Sequence, residues 1–365
     1  MKRIIVTGAG GYVGVPMCRS LLEHGFEVVA LDRYFFGLDK MGGISDHPNL
    51  RIVRDDIRSC DPAIFLGVFA VLDLAGLSND ATAEIDRELT LSINHRGSER
   101  FAREAKKHGV ERYIYASSAS VYGAGARESL VETDALAPQT DYAKSKVAIE
   151  KVLAELEAES FCSVILRNAT IFGLAPRMRF DLAVNIMTLR AWKERVIYVM
   201  GGGEQWRPFV HVSDVVAAFL LVLGAPRKIV HGQTFNVGSA DQNFQIKQLA
   251  QFVMDVVPNV QVHLIPDDPD KRTYNINFSK IERVLGYKAR VQVRQGISEI
   301  MEALEKGTLD PDDPTSYTLQ WYKSLLKWEE RLQDLSLHGS VLYQGGGRVI
   351  PMAGRAAMAS SPGLA

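Results

Sequence analysis

The chain has 365 residues, 47% of them apolar and 23% charged, with a formal net charge of −1. That balance suits a globular protein with one large or two interlocked cores, and it argues against a nucleic-acid footprint or a membrane-seeking surface. The longest apolar run, 215–223, falls far short of the ~20 residues that span a bilayer and follows Asp214 as a buried helix would.

The N-terminus runs directly into the strand pattern Arg3-Ile4-Ile5-Val6, with no signal-peptide segment. Cys18, Cys60 and Cys162 are odd in number, widely spaced and not grouped with histidine. The expectation is therefore no disulfide, no metal site and a reducing cytoplasm.

In chain order, the first unit reads as a strand (2–6), a glycine-rich turn, a helix to about residue 23, and a second strand (27–31) that ends at Asp32. The turn is Thr7-Gly8-Ala9-Gly10-Gly11-Tyr12-Val13-Gly14. Glycines at 8, 11 and 14 let the backbone turn tightly and approach a pyrophosphate, whose charge meets the N-terminus of the helix. Asp32 lies 18 residues beyond Gly14, where a carboxylate can accept hydrogen bonds from an adenosine ribose. Together these features point to a dinucleotide site. Asp32 favours NAD over NADP because it would repel a 2′-phosphate, although Arg33 stands beside it.

Strand and helix signals then alternate: strands at 51–53 and 71–74, a helix at 92–108, and a strand at 112–116. This rhythm belongs to a parallel sheet with helices on both faces. Asp56-Ile57 and Leu74-Ala75-Gly76 close the third and fourth strands, and such carboxyl ends form cofactor walls. The fifth strand runs into Ser117-Ser118-Ala119-Ser120-Val121-Tyr122-Gly123, whose serines are most simply read as turn formers. Next comes Asp141-Tyr142-Ala143-Lys144-Ser145-Lys146, at the start of a helix to about residue 159. Tyr142 and Lys146 are four residues apart and project from one helix face. An ammonium there would lower the phenol's pKa and make it a usable acid/base.

A sixth strand spans 163–167, and 234–237 reads as a strand rejoining the sheet. Before the apolar helix at 215–223, Ser213 or Asp214 is the simplest N-cap and His211 reads as structural. Helices are expected at 246–257 and 279–285, then a C-terminal helix at 316–337 and a mobile tail over 344–365.

A glycine-rich turn, a Ser-rich strand end and Tyr-x-x-x-Lys in one chain make it resemble the extended short-chain dehydrogenase/reductases. Within them it is similar to the nucleotide-sugar epimerase/dehydratase branch, which includes the UDP-galactose 4-epimerases. The resemblance covers roughly residues 1–305. It implies an α/β fold: a doubly wound Rossmann domain (1–168, with 208–238 returning to it) and a smaller discontinuous substrate domain (169–207 and 239–310). Residues 311–365 form the C-terminal helix and tail.

By this resemblance Ser118, Tyr142 and Lys146 are the catalytic residues. NAD contacts fall to Gly8, Gly11, Tyr12, Val13, Gly14, Asp32, Asp56, Ile57, Leu74, Ala75, Gly76 and Asn94, as well as Tyr142 and Lys146. The substrate is a nucleotide-diphosphate sugar, met by Ser118, Asn185, Arg207 and Arg272. The resemblance also implies a homodimer that pairs the helices at 92–108 and 142–158. Phe101, Ala105, Val147, Ile149 and Leu153 would serve that interface or an intramolecular core equally well.

Departures from the family pattern narrow the chemistry. Sugar dehydratases carry Asp-Glu after the catalytic Ser/Thr, where this chain has Ala119 and Ser120. Neither can move a proton, which disfavours dehydration, and the missing carboxylate at 120 counts against decarboxylation. The usual Asn after the sixth strand is Thr170, and an Arg-Pro-Gly-Asp phosphate motif is replaced by Asp267-Asp268-Pro269-Asp270-Lys271-Arg272. Arg177 and Arg179 could add charge, but solvent exposure is the commoner place for an arginine. The expected activity is epimerisation at carbon 4 through a transient ketone. The rivals are a nucleotide-sugar ketoreductase or dehydrogenase and a non-catalytic NAD-sensing scaffold.

Overall fold

Apolar, largely β-branched runs such as Ile4-Ile5-Val6 and Val28-Val29-Ala30 suit strands covered on both faces, and all six of these residues are buried. In the computed structural model, which describes residues 1–123, 129–266 and 272–336, they lie in adjacent interior strands of a seven-stranded sheet. The strands in chain order are β1 (Arg3–Thr7), β2 (Glu27–Asp32), β3 (Leu50–Arg54), β4 (Val68–Asp73), β5 (Arg112–Ser118), β6 (Cys162–Asn168), β7 (Thr170–Phe172), β8 (Val196–Met200), β9 (Trp206–His211), β10 (Gln233–Val237), β11 (Asn243–Gln245) and β12 (Gln261–Ile265). The α-helices are α1 (Gly14–Glu23), α2 (Asp80–Ala83), α3 (Arg87–Thr90), α4 (Ser98–Lys107), α5 (Asp141–Leu156), α6 (Ala183–Glu194), α7 (Val212–Gly224), α8 (Arg227–Val230), α9 (Ile246–Val256), α10 (Ser279–Leu285), α11 (Val293–Glu305) and α12 (Thr318–Leu335).

The large sheet has the order β3-β2-β1-β4-β5-β6-β10 and every pairing in it is parallel. Alternate residues feed opposite layers, as a strand's two-residue period requires. Ile4, Val6, Val28 and Ala30 join Cys18 and Leu21 of α1 and Phe219 of α7. Ile5, Val29 and Leu31 join Phe101 and Ala105 of α4 and Ile149 and Leu153 of α5. This is the doubly wound Rossmann arrangement. Its order reverses between β1 and β4, where a crevice opens at their carboxyl ends.

Smaller sheets follow from the C-terminal half, β11-β9-β7 and β12-β8. They share a core with α6, α9 and α11 through Met187, Ile197, Leu249 and Ile297. The return to the large sheet is made by α7 and β10, whereas β9 belongs to a small sheet. The cap of α7 differs from expectation: His211 fills it, accepting from Ser213 N, while Asp214 accepts from Arg290 N and Val291 N. Asp214 is thus drawn off by a distant loop that local sequence could not announce.

The expected helix at 92–108 begins as a π-helical stretch, Leu91–Gly97, and continues as α4. The five residues held open for a dimer, Phe101, Ala105, Val147, Ile149 and Leu153, are all buried within the single chain. The core alternative therefore accounts for them. A second unit begins at Gln320 and carries the rest of α12, in which Trp321 and Trp328 meet edge to face with centroids 5.4 Å apart. Residues 344–365 and 267–271 lie outside the described residues. Among the described residues no helix is long and apolar enough to cross a membrane, and no metal-holding cluster occurs.

Candidate active site

The turn after β1 is as tight as its glycines suggest. A Cβ at Gly14 would lie 2.1 Å from Gly8 O, and Gly8 has φ +66° with Leu74 C only 2.9 Å from its would-be Cβ. The loop is thereby pressed onto the end of β4. Thr7 ties the two together, its hydroxyl donating to Asp73 (2.6 Å) and accepting from Leu74 N and Ala75 N (3.0 Å each). No side chain caps α1, but Val15 N donates to Gly11 O (3.2 Å), Met17 N donates to Val13 O (3.0 Å) and Pro16 has no N–H, so the amides offered to a phosphate are those of the glycine turn itself, Tyr12 to Gly14. Asp32 ends β2 and accepts from Gly10 N (3.1 Å) and Tyr34 N (2.6 Å). Burial raises its pKa, opposed by those backbone hydrogen bonds.

Asp56 is gripped by Arg58 and Arg33, with Arg33 Nη1 at 2.9 Å. Burial works against its charge, but these guanidinium bonds hold it well below the usual carboxylate range. Arg33 is therefore spent on Asp56. Asn94 sits in the π-helical stretch, where its amide donates to Leu77 O (3.0 Å) and accepts from Leu77 N (2.8 Å), and Gly76 packs against it. Ile57 is buried, and Leu74, Ala75 and Gly76 form the floor beside the glycine turn. A tight glycine turn, an uncapped helix start and a carboxylate at the end of β2 fit a dinucleotide's diphosphate and ribose.

Thr140 caps α5 by accepting from Ala143 N (3.1 Å), and the helix then sets Tyr142 and Lys146 one turn apart. Ser118, the last residue of β5, accepts from Ser120 N (3.2 Å) and lies near enough to Tyr142 to influence its titration. Ser118 and Tyr142 are only partly buried, so a ligand can reach them. Lys146 is buried, donates to Ala116 O (2.7 Å), and has its ammonium 5.7 Å from the centroid of the Tyr142 ring.

The electrostatics differ from expectation. Tyr142 is pushed up to about 12, by desolvation first and then by Asp80, while Ser118 and Arg179 pull the other way. Lys146 is pushed down to about 8 by desolvation, opposed by Asp73 and Glu150. A buried ammonium turned toward a backbone carbonyl is a weak activator, and Lys146 is not among the groups that lower Tyr142 in this structure.

Behind these residues lies a buried network the sequence did not reveal. Glu150, one turn beyond Lys146, accepts from Arg167 through both oxygens (3.0 and 2.7 Å) and from Ser117 Oγ (2.6 Å). Arg167 also donates to the Tyr122 hydroxyl (2.9 Å), which donates to Asn236 Oδ1 (2.8 Å). The network joins α5, β5, β6 and β10 immediately behind Ser118 and Lys146.

On the substrate side, Arg177 and Arg179 are buried, against the expectation of exposure. Arg179 pairs with Asp181 (2.6 Å) and donates to Ser78 Oγ (3.0 Å). Asn185 departs from its expected place on a diphosphate. It is fully buried, accepts from Gly173 N, and donates to Arg179 O and Tyr12 Oη, so its amide is spent on protein groups. Arg207 donates to Trp206 O and Arg272 O, and Arg272 pairs with Asp80 (2.8 Å).

Residues 4–238 match the NAD dependent epimerase/dehydratase family. The chain belongs to that family. This family member is an extended short-chain dehydrogenase/reductase, an enzyme whose cofactor is NAD. It is similar to an uncharacterized UDP-glucose epimerase of Bacillus subtilis, 25% identical over 81% of this chain and 96% of the relative. It is also similar to a dTDP-glucose 4,6-dehydratase of Actinoplanes, 26% identical over 89% of this chain and 99% of the relative. Among solved structures, MoeE5 in complex with UDP-glucuronic acid and NAD superposes with a TM-score of 0.74, at 25% identity over 84% of this chain and 99% of that one.

Proposed function

We propose that this family member is a nucleotide-sugar epimerase acting at carbon 4. The observation that carries the reading is the grouping of Ser118, at the end of β5, with Tyr142 and, one turn along α5, Lys146. Ala119 and Ser120 add to it, because neither side chain beside Ser118 can shuttle the proton that dehydration requires. In this reading Ser118, Tyr142 and Lys146 are catalytic. Gly8, Gly11, Tyr12, Val13, Gly14, Asp32, Asp56, Ile57, Leu74, Ala75, Gly76 and Asn94 form or brace the NAD site. Arg207 and Arg272 meet the substrate diphosphate, and Asn185 positions Tyr12 and Arg179 behind it. A homodimer and a cytoplasmic location belong to the same reading, the latter consistent with three buried free cysteines.

Bound NAD supplies a cationic ring that takes a hydride from the sugar's carbinol carbon and returns it, and its charge draws the phenol's pKa down. Tyr142 accepts the proton of the sugar hydroxyl and hands it back. Ser118 hydrogen-bonds the same oxygen and holds its direction, while Lys146 holds the nicotinamide ribose. Rotation of the keto sugar between the two transfers gives the epimer with no net redox change.

Incubation with UDP-, dTDP-, GDP- and CDP-sugars, followed by NMR, is expected to show a carbon-4 epimer without added NAD and without net change in nicotinamide absorbance. A stoichiometric absorbance change would instead identify a ketoreductase. The rate is also expected to fall as pH rises through about 8, where Lys146 loses its proton. The groups facing that ammonium are Asp73, Glu150, Tyr115 and Tyr142. Lys146→Arg keeps a charge at high pH and should move this basic limb upward. An unmoved limb would assign the titration elsewhere.

A further inference from the structure

The loop that leaves β2 begins at the ribose seat. Tyr34 N and Gly10 N both donate to Asp32, at 2.6 and 3.1 Å, so the first residues of the loop and the glycine turn hold one carboxylate between them. Tyr34 also packs on the turn, where a Cβ at Gly10 would lie 2.8 Å from its ring, and its hydroxyl donates to Ala30 O at 2.8 Å. Beyond Tyr34 the loop is more open. Phe35 and Leu38 are exposed, and the backbone passes through positive φ at Gly37 and Gly42 before Met41 and Ile44 reach the core beside α1.

The middle of this loop is fastened by residues 313–318, which lie beyond the family-matched segment 4–238. Lys40 Nζ stands 2.6 Å from Asp313 Oδ2 and 3.4 Å from Asp39 Oδ2. The other oxygen of Asp313 accepts from Thr315 N (2.9 Å) and Thr315 Oγ1 (2.7 Å), which fixes the turn that carries it. Phe36 provides the second contact. Its ring centroid lies 3.6 Å from the Arg177 guanidinium, whose Nη2 donates to Thr318 Oγ1 at 2.8 Å. Thr318 donates in turn to Asp181 (3.2 Å), and Phe180 N donates to Ser316 O (2.8 Å). Arg177, Ser316 and Thr318 are all buried. The segment therefore ties the β2 loop to residues 177–181, and what loosens the loop also loosens the hold on Asp32.

We propose that Lys40, Asp313 and Thr318 are positioning residues for the dinucleotide, a clasp that holds the β2 loop against the ribose seat and slows the release of NAD. The proposal rests on the reading above in one respect: a redox-neutral cycle returns its hydride and gains from a cofactor that stays. The test is cofactor exchange on the full-length, NAD-loaded protein. Excess deuterated NAD is added without any sugar, and mass spectrometry follows the unlabelled NAD that remains bound.

Lys40→Met removes the ion pair and leaves the Asp313 turn intact, while Thr318→Val removes the hydroxyl and keeps the shape. Each should speed release by about tenfold, the scale of one hydrogen bond to a charged group. Lys40→Arg and Thr318→Ser keep the contacts and should release NAD at close to the wild-type rate. A wild-type rate in Lys40→Met overturns the proposal whether or not Thr318→Val folds. Equal acceleration in the conservative pair overturns it as well, since that would mark a general loosening of the fold. No sugar enters this assay, so its failure leaves the carbon-4 reading to the product analysis above.

Discussion

Tyr142→Phe is expected to lower turnover by about 10²–10⁴-fold, the usual contribution of a positioned acid/base, while bound NAD is retained. The phenyl ring preserves the packing and the substitution removes only the hydroxyl beside Ser118. That hydroxyl is the group the reaction needs, since Lys146 is turned to Ala116 O and Ser118 titrates far too high to serve alone. Tyr142 is held up to about 12, so its proton is secure at neutral pH until a positive charge arrives beside it. NMR of the product and absorbance of the retained nicotinamide would report the two effects separately. Full activity in the Phe variant would return the protein to the class of NAD-binding scaffolds.

The second large effect is on stability. Glu150→Ala would strand the Arg167 guanidinium among buried groups, and loss of one partner of such a pair costs about 3–5 kcal/mol. Arg167→Met should cost a similar amount by stranding Glu150. Replacing both with apolar residues should cost less than the two single changes together, because no buried charge then remains. Denaturant unfolding of the four proteins would reveal this coupling, and strict additivity would contradict it. Because Glu150 also bonds Ser117 Oγ, its loss should loosen the strand end that aims Ser118.

The parts of the site that were legible in the sequence lie within single contiguous segments. The turn from Thr7 to Gly14 and the helical turn from Tyr142 to Lys146 each sit at fixed local spacing, and it is their occurrence together in one chain that singles them out as candidates. The alternation of apolar strands and helices likewise announces a parallel sheet, which the strand order bears out. The arginine cluster was not legible in this way. Ser78 and Arg179 meet across 101 residues and Thr140 and Asp80 across 60, and no local spacing signals either contact. Arg177 and Arg179 were expected in solvent because most arginines are there, and their burial is made tolerable by the neighbouring Asp181 carboxylate together with the hydroxyls of Ser78 and Thr318, which are distant in the chain.

Sequence by itself determined the parallel sheet and the glycine turn, which rest on short-range periodicity and local chain geometry, while the choice of Ser118, Tyr142 and Lys146 as the catalytic set came from the family resemblance. Only the tertiary structure decided the charge balance. It turned Lys146 toward Ala116, set Asp80 against the phenol, bound the Asn185 amide to Tyr12 and Arg179 and placed Glu150 and Arg167 behind the site. Desolvation and ion pairing depend on what the folded chain brings within a few ångströms, and that is not a property of any segment read alone.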